Sequence, residues 1–145
     1  LDEGKYDAVI LAAAGLKRLG LAARITRLLD PSESLPAPGQ GALGVECLEG
    51  RPELIELLAG LDHGPTASCV AAERAVSRAL SGSCNVPLGA YAEARGGRLH
   101  LRAFVGAPDG SRMVSGEMEG PAGDPEALGS ALAARRAASG TRRQT

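Results

Sequence analysis

Three short stretches of this sequence could present chemically useful side chains. The first is Ser81-Gly82-Ser83-Cys84-Asn85-Val86-Pro87, where one cysteine sits among small turn residues. Gly82 and the two serines let the backbone bend and leave the sulfur uncovered, and Pro87 ends any helix and stiffens the exit. A thiol placed this way could be alkylated once by an electrophilic carbon. The pattern before it is helical, and a helix C-terminus opposes a thiolate, but a single alkylation needs no depressed pKa. On local features Cys84 is either such a nucleophile or a buried small hydrophobe. The second stretch is Lys17-Arg18, directly after an apolar run. Cations beyond the carboxyl end of a strand can hold carboxylates, Arg doing so with two parallel hydrogen bonds. A solvated basic turn fits the same two residues. The third is Pro38-Gly39-Gln40-Gly41-Ala42, an amide between two glycines. Glycines allow close approach of backbone and ligand; a plain hinge loop has the same composition.

Other chemistries find little support. Cys47 and Cys69 read as core residues, and no C-x-x-C occurs, so a disulfide scaffold or thiol redox module is not expected. His63 and His100 are isolated and lack metal-ligand spacing. Ser81 and Ser83 have no His/Asp partner close in sequence. Neither G-x-x-x-x-G-K-[ST] nor G-x-G-x-x-G is present. Arg135, Arg136, Arg142 and Arg143 read as a solvated helix end and tail, or as a weak anion patch. The net charge of −1 offers no global field for nucleic acid or a membrane surface. An odd cysteine count fits a reducing compartment. Ala8 to Ala14, the longest apolar run, is too short to span a bilayer, and the acidic, polar start is no signal peptide. The expectation is a soluble cytoplasmic protein.

The elements that must position these residues can be read from pattern. At 145 residues the chain can bury a core, and with no Trp, one Phe and two Tyr that core must be aliphatic. Residues 7–13 read as a buried strand and 14–20 as a turn or short helix, with a further helical piece over 21–29. Asp30-Pro31-Ser32-Glu33 breaks the pattern. A Pro/Gly-rich connection over 35–42 leads to a short strand at 43–47. Apolar spacing predicts helices over 52–61 and 67–80, the latter capped by Thr66. Then come strands over 86–94, 99–105 and 112–119, joined by turns at Arg95-Gly96-Gly97 and Ala107-Pro108-Asp109-Gly110. Asp124-Pro125 opens a last helix to about Ala138. A strand like 7–13 normally lies within a sheet covered on both faces, and too few strands are present to build one. The chain therefore reads as a fragment, or as the tail of a longer enzyme.

Four ordered motifs resemble the porphobilinogen deaminase family. Tyr6 to Gly20 is similar to the end of that family's second domain, and Ser34 to Glu46 to its interdomain crossing. Ala72-Glu73-Arg74-Ala75 followed by Ala79 to Tyr91 is similar to its cofactor-attachment region, and Leu101 to Gly110 to its third-domain hairpin. The resemblance implies an α/β protein with an α+β C-terminal domain. Residues 1–35 would end a periplasmic-binding-protein-like α/β domain, and 36–62 would form the crossing and the return segment of domain one. Residues 63–145 would form a three-stranded antiparallel sheet covered by helices, carrying the cofactor. It further implies a transferase of tetrapyrrole and heme biosynthesis that condenses four porphobilinogens into hydroxymethylbilane with loss of ammonia. Cys84 would hold a dipyrromethane primer through a thioether. Arg18 would bind acetate or propionate groups and assist catalysis, and Gln40 and Gly41 would lie against the cofactor. No metal, nucleic acid or membrane is implied, and the enzyme is expected to be monomeric. The family's first domain, most of its second and its catalytic aspartate have no counterpart here. The chain alone is thus expected to be inactive, and the competing reading is a non-catalytic fragment or binding module without cofactor. The basic stretch Ser139 to Thr145 also departs from the longer apolar helix end of the family.

Overall fold

A computed structural model describes residues 1–80 and 86–141, with side chains to Arg135. Its elements are α1 (Ala13–Arg18), a 3-10 turn (Ala22–Arg24), α2 (Pro52–Ala59), α3 (Gly64–Ala79), β1 (Leu88–Arg95), β2 (Arg98–Gly106), β3 (Met113–Pro121) and α4 (Pro125–Thr141).

The C-terminal half is an antiparallel sheet in the order β1-β2-β3, with α3 and α4 packed together on one face. Local chemistry sets each turn. Gly96 and Gly97 take φ of 54° and 76°, as a two-residue hairpin between Arg95 and Arg98 requires. Gly110 (φ 73°) closes the next turn, its amide donating to the Ala107 carbonyl at 3.0 Å. Asp124 caps α4, its carboxylate accepting from the Ala127 amide at 3.4 Å, and Pro125 stands at the first helical position. Alternation then sorts the sheet. Ala90, Ala92, Leu99, Leu101 and Ala103 face the helices and meet Ala72, Val76, Leu128 and Leu132 in the core. The other face carries Tyr91, Glu93, His100 and Arg102, with the Arg102 guanidinium 5.6 Å from the Tyr91 ring centre.

β1 is an edge strand, and such edges normally invite unwanted pairing. Here two of its outward amides are occupied. Ala90 donates to the Pro36 carbonyl at 3.0 Å and Ala92 to a Glu73 carboxylate oxygen at 2.8 Å.

Among the first sixty residues the two helices at Ala13–Arg18 and Pro52–Ala59 fall where expected, and the strands do not. Residues 7–12 form no strand, whereas Ala13–Arg18 is helical, in keeping with the turn or short helix expected over 14–20. Residues 43–47 are also unpaired, and the helical piece expected over 21–29 contracts to Ala22–Arg24. For the two strands the reason is shared: an apolar run reports a tendency to be buried, but a strand exists only when another strand satisfies its ladder. No described strand lies beside these runs, and Ile10 and Leu43 are 78% and 90% exposed. α3 begins three residues before the expected start because Pro65 suits the first turn. Thr66 is therefore inside the helix and does not cap it; its hydroxyl lies 2.8 Å from His63 Nδ1. α4 continues past Ala138 to Thr141. No helix among the described residues is long and apolar enough to cross a membrane.

Candidate functional site

α3 presents two working faces. Cys69, Ala72, Glu73 and Val76 fall at helical spacing toward β1 and the core, while Val70, Arg74, Ser77 and Arg78 turn the other way. Glu73 is the one charged residue on the core-facing stripe, and it is 5% exposed. One carboxylate oxygen accepts from Ala92, and the other accepts from the Gly39 amide at 2.7 Å. Burial pushes this carboxyl above the usual glutamate range, and the two backbone amides pull against that by favouring the charged form. Burial likewise raises the Cys69 thiol, with the Glu73 charge adding to it.

Through Gly39 this carboxylate holds the loop over 36–42. Gly39 and Gly41 adopt φ of 75° and 89°, a region open mainly to glycine. Two turns follow each other, Gln40 donating to Ala37 at 3.0 Å and Ala42 to Gly39 at 3.2 Å. Gln40 and Gly41 are left exposed at the tip. Between this loop and the outer face of α3 runs an open cleft of about 500 Å³, lined by Pro38, Gly39, Leu43, Val70, Arg74 and Arg78. Arg78 is committed to Glu126 at 2.9 Å, whereas Arg74 has no ion-pair partner among the described residues.

Arg18 is the last residue of α1 and is exposed. A cation is favoured there by the helix dipole. Neither Arg18 nor Lys17 has an ion-pair partner among the described residues. Arg18 makes no hydrogen bond to the 36–42 loop or to α3, so the structure does not join it to Gln40 and Gly41. Cys84 lies between α3 and β1, outside the described residues.

The remaining candidates fall away. Cys47 is exposed rather than core, because the strand expected to bury it does not form, while Cys69 is half-buried as expected. His63 is exposed, and His100 pairs with Glu117 at 3.3 Å across the strands. No group of three His, Cys, Asp or Glu residues suited to a metal occurs among the described residues. Sequence reading gives Glu73 only as part of the Ala72–Ala75 motif, with no role of its own. The signal for one was a carboxylate on the same helical stripe as Ala72 and Val76.

The donor chemistry suits a polyanionic organic group. Two uncommitted cations stand on α1, another lines the cleft, and the glycine loop leaves backbone open to approach. Arg74 and the glycine loop could meet a carboxylate at the cleft, while Lys17 and Arg18 stand on α1, which the structure does not join to it.

Residues 67–137 match the family model described as porphobilinogen deaminase, C-terminal domain. Residues 1–56 match the model described as porphobilinogen deaminase, dipyromethane cofactor binding domain. The porphobilinogen deaminase of Thiobacillus denitrificans is 58% identical over 142 residues, covering 98% of this chain and 46% of the relative. That of Methylobacillus flagellatus is 56% identical over 143 residues, covering 99% and 46%. That of Paraburkholderia phytofirmans is 61% identical over 122 residues, covering 84% and 36%. The chain thus spans less than half the length of these relatives.

Proposed function

The chain belongs to the porphobilinogen deaminase family, and on that premise we propose that it supplies the C-terminal part of a hydroxymethylbilane synthase. The whole enzyme would condense four porphobilinogens into hydroxymethylbilane, releasing ammonia at each condensation. The observation that carries this reading is the ordered match of residues 1–56 and 67–137 to two models of one family. The uncommitted cations and the open glycine loop support it, since the substrates are dense in carboxylates.

Dipyrromethane, when bound, supplies the primer on which the chain grows. The residues of this protein then have distinct tasks. Cys84 would form a sulfur–carbon bond to a pyrrole methylene as the carbon–nitrogen bond there breaks, the thiol proton leaving with the displaced ammonia, and the thioether would keep the growing product from diffusing away. Arg18 pairs with a carboxylate through two parallel hydrogen bonds, and Lys17 adds positive charge beside it. Gln40 and Gly41 contribute an amide side chain and an accessible backbone. The proposed division follows the resemblance: 1–35 ends domain two, 36–62 crosses through domain one, and 63–145 forms domain three.

The chain on its own is expected to be inert, because over half of each relative lies outside the match. The test is complementation. The portion of the Thiobacillus denitrificans relative that this chain does not match is co-expressed with the chain, and hydroxymethylbilane is measured from added porphobilinogen. Product from the pair, and none from either piece alone, is the expected result. An associated pair that makes no product would overturn the assignment.

A further inference from the structure

We propose that Glu73 is the positioning residue for the Gln40-Gly41 loop, its carboxylate bridging the loop to the edge of β1. The importance of that loop rests on the function proposed above; the bridge itself does not. Gly39 is 34 residues from Glu73 in sequence, and Ala92 is 19 residues away on the other side. The two bonds, at 2.7 and 2.8 Å, therefore tie three distant stretches of chain at one side chain.

The chemistry is specific to a glutamate. Both partners are backbone N–H donors, so the bridging group must accept at two atoms, as an ionised carboxylate does. Glutamine has the same shape but offers one acceptor and one NH₂ donor. One of its two ends would then face an N–H with another N–H. Aspartate is one methylene shorter and cannot span both amides from the same helix position. A buried polar group left without its partner is costly, so a side chain that meets only one amide is strongly disfavoured here.

The arrangement also explains why the loop lies where it does. The Pro36 carbonyl accepts from Ala90 and Glu73 accepts from Ala92, so the entering chain and α3 together seal the edge of β1. Gly39 sits within the turn that leads to Gln40, so fixing its amide fixes the start of the exposed tip. Glu73 is buried beneath that tip, which makes it a positioning rather than a catalytic residue.

The test is residue-resolved amide exchange on the chain as it stands, beside Glu73→Gln. In the unsubstituted protein the Gly39 and Ala92 amides should both be protected. In Glu73→Gln one of them should exchange about tenfold faster or more, as loss of a hydrogen bond to a charged group implies. The Leu101 amide at the centre of β2 should change less than about twofold. Equal loss at Leu101 would mean that Glu73 is merely part of the core, and unchanged Gly39 and Ala92 would mean that no bridge exists. Either result overturns the proposal. If Glu73→Gln does not fold, the unsubstituted chain still decides: an unprotected Gly39 amide refutes the bridge. Failure of the complementation assay with an intact Gly39 pattern would remove the family function and leave the bridge standing.

Discussion

Gly129→Ala is expected to lower stability by about 1–3 kcal/mol, the usual range for overpacking a tight contact. A lone methyl group would ordinarily help, since Ala is favoured over Gly in a helix interior by roughly 1 kcal/mol. Here it has nowhere to go. A Cβ at Gly129 would lie 2.6 Å from the Ala75 Cβ and collide with the Ala72 carbonyl oxygen. Backbone cannot rotate aside as a long side chain can, so α3 and α4 must separate. That separation opens the core at Ala72, Val76, Leu128 and Leu132. A thermal melt should fall by several degrees, because each kcal/mol is worth about 4–8 °C in a domain of 60–100 residues. A melt that stays level or rises would show that the two helices do not approach so closely.

Arg18→Ala is expected to reduce product formation by the complemented enzyme about 10- to 100-fold. A charge-assisted hydrogen bond contributes roughly 1.5–3 kcal/mol, and each 1.4 kcal/mol is a factor of ten. Arg18 is exposed on α1 in this chain, and equal assembly of the complemented pair with and without the substitution separates a loss at the site from a loss of folding. Arg18→Lys should recover only part of the activity, because an ammonium keeps the charge but not the planar pair of donors. Rates within twofold of the unsubstituted enzyme in Arg18→Ala would remove the residue from the site. Equal rates in the Lys variant would show that charge alone is sufficient there.

The C-terminal half was legible because its instructions are local. Gly96-Gly97, Asp109-Gly110 and Asp124-Pro125 each name a turn or cap by backbone preference, and alternation along 99–105 assigns the buried face. The stretches 7–13 and 43–47 were misread for the opposite reason. Their apolar character is genuine, but strand formation depends on a neighbour supplying donors and acceptors, and the described residues contain none beside them. The site divides in the same way. Gly39 and Gly41 mark the loop in sequence as open to close approach, and in the structure both have positive φ. Their anchor was invisible, because the partner of the Gly39 amide lies on a helix 34 residues away. Only the placement of Glu73 beside Ala72 and Val76 hinted that a charge was destined for the interior. Arg18 and the loop were named together from the resemblance, and the structure shows no bond between them. Cys84 falls outside the described residues, so its role rests on chemistry and resemblance.

The most direct test of the central claim is the denatured intact mass of this chain after assembly into a complemented enzyme, beside Cys84→Ser. The account predicts an added mass of two linked pyrroles on the unsubstituted chain and the bare polypeptide mass for the variant. The same added mass on Cys84→Ser, or a bare mass in an enzyme that makes hydroxymethylbilane, would contradict it.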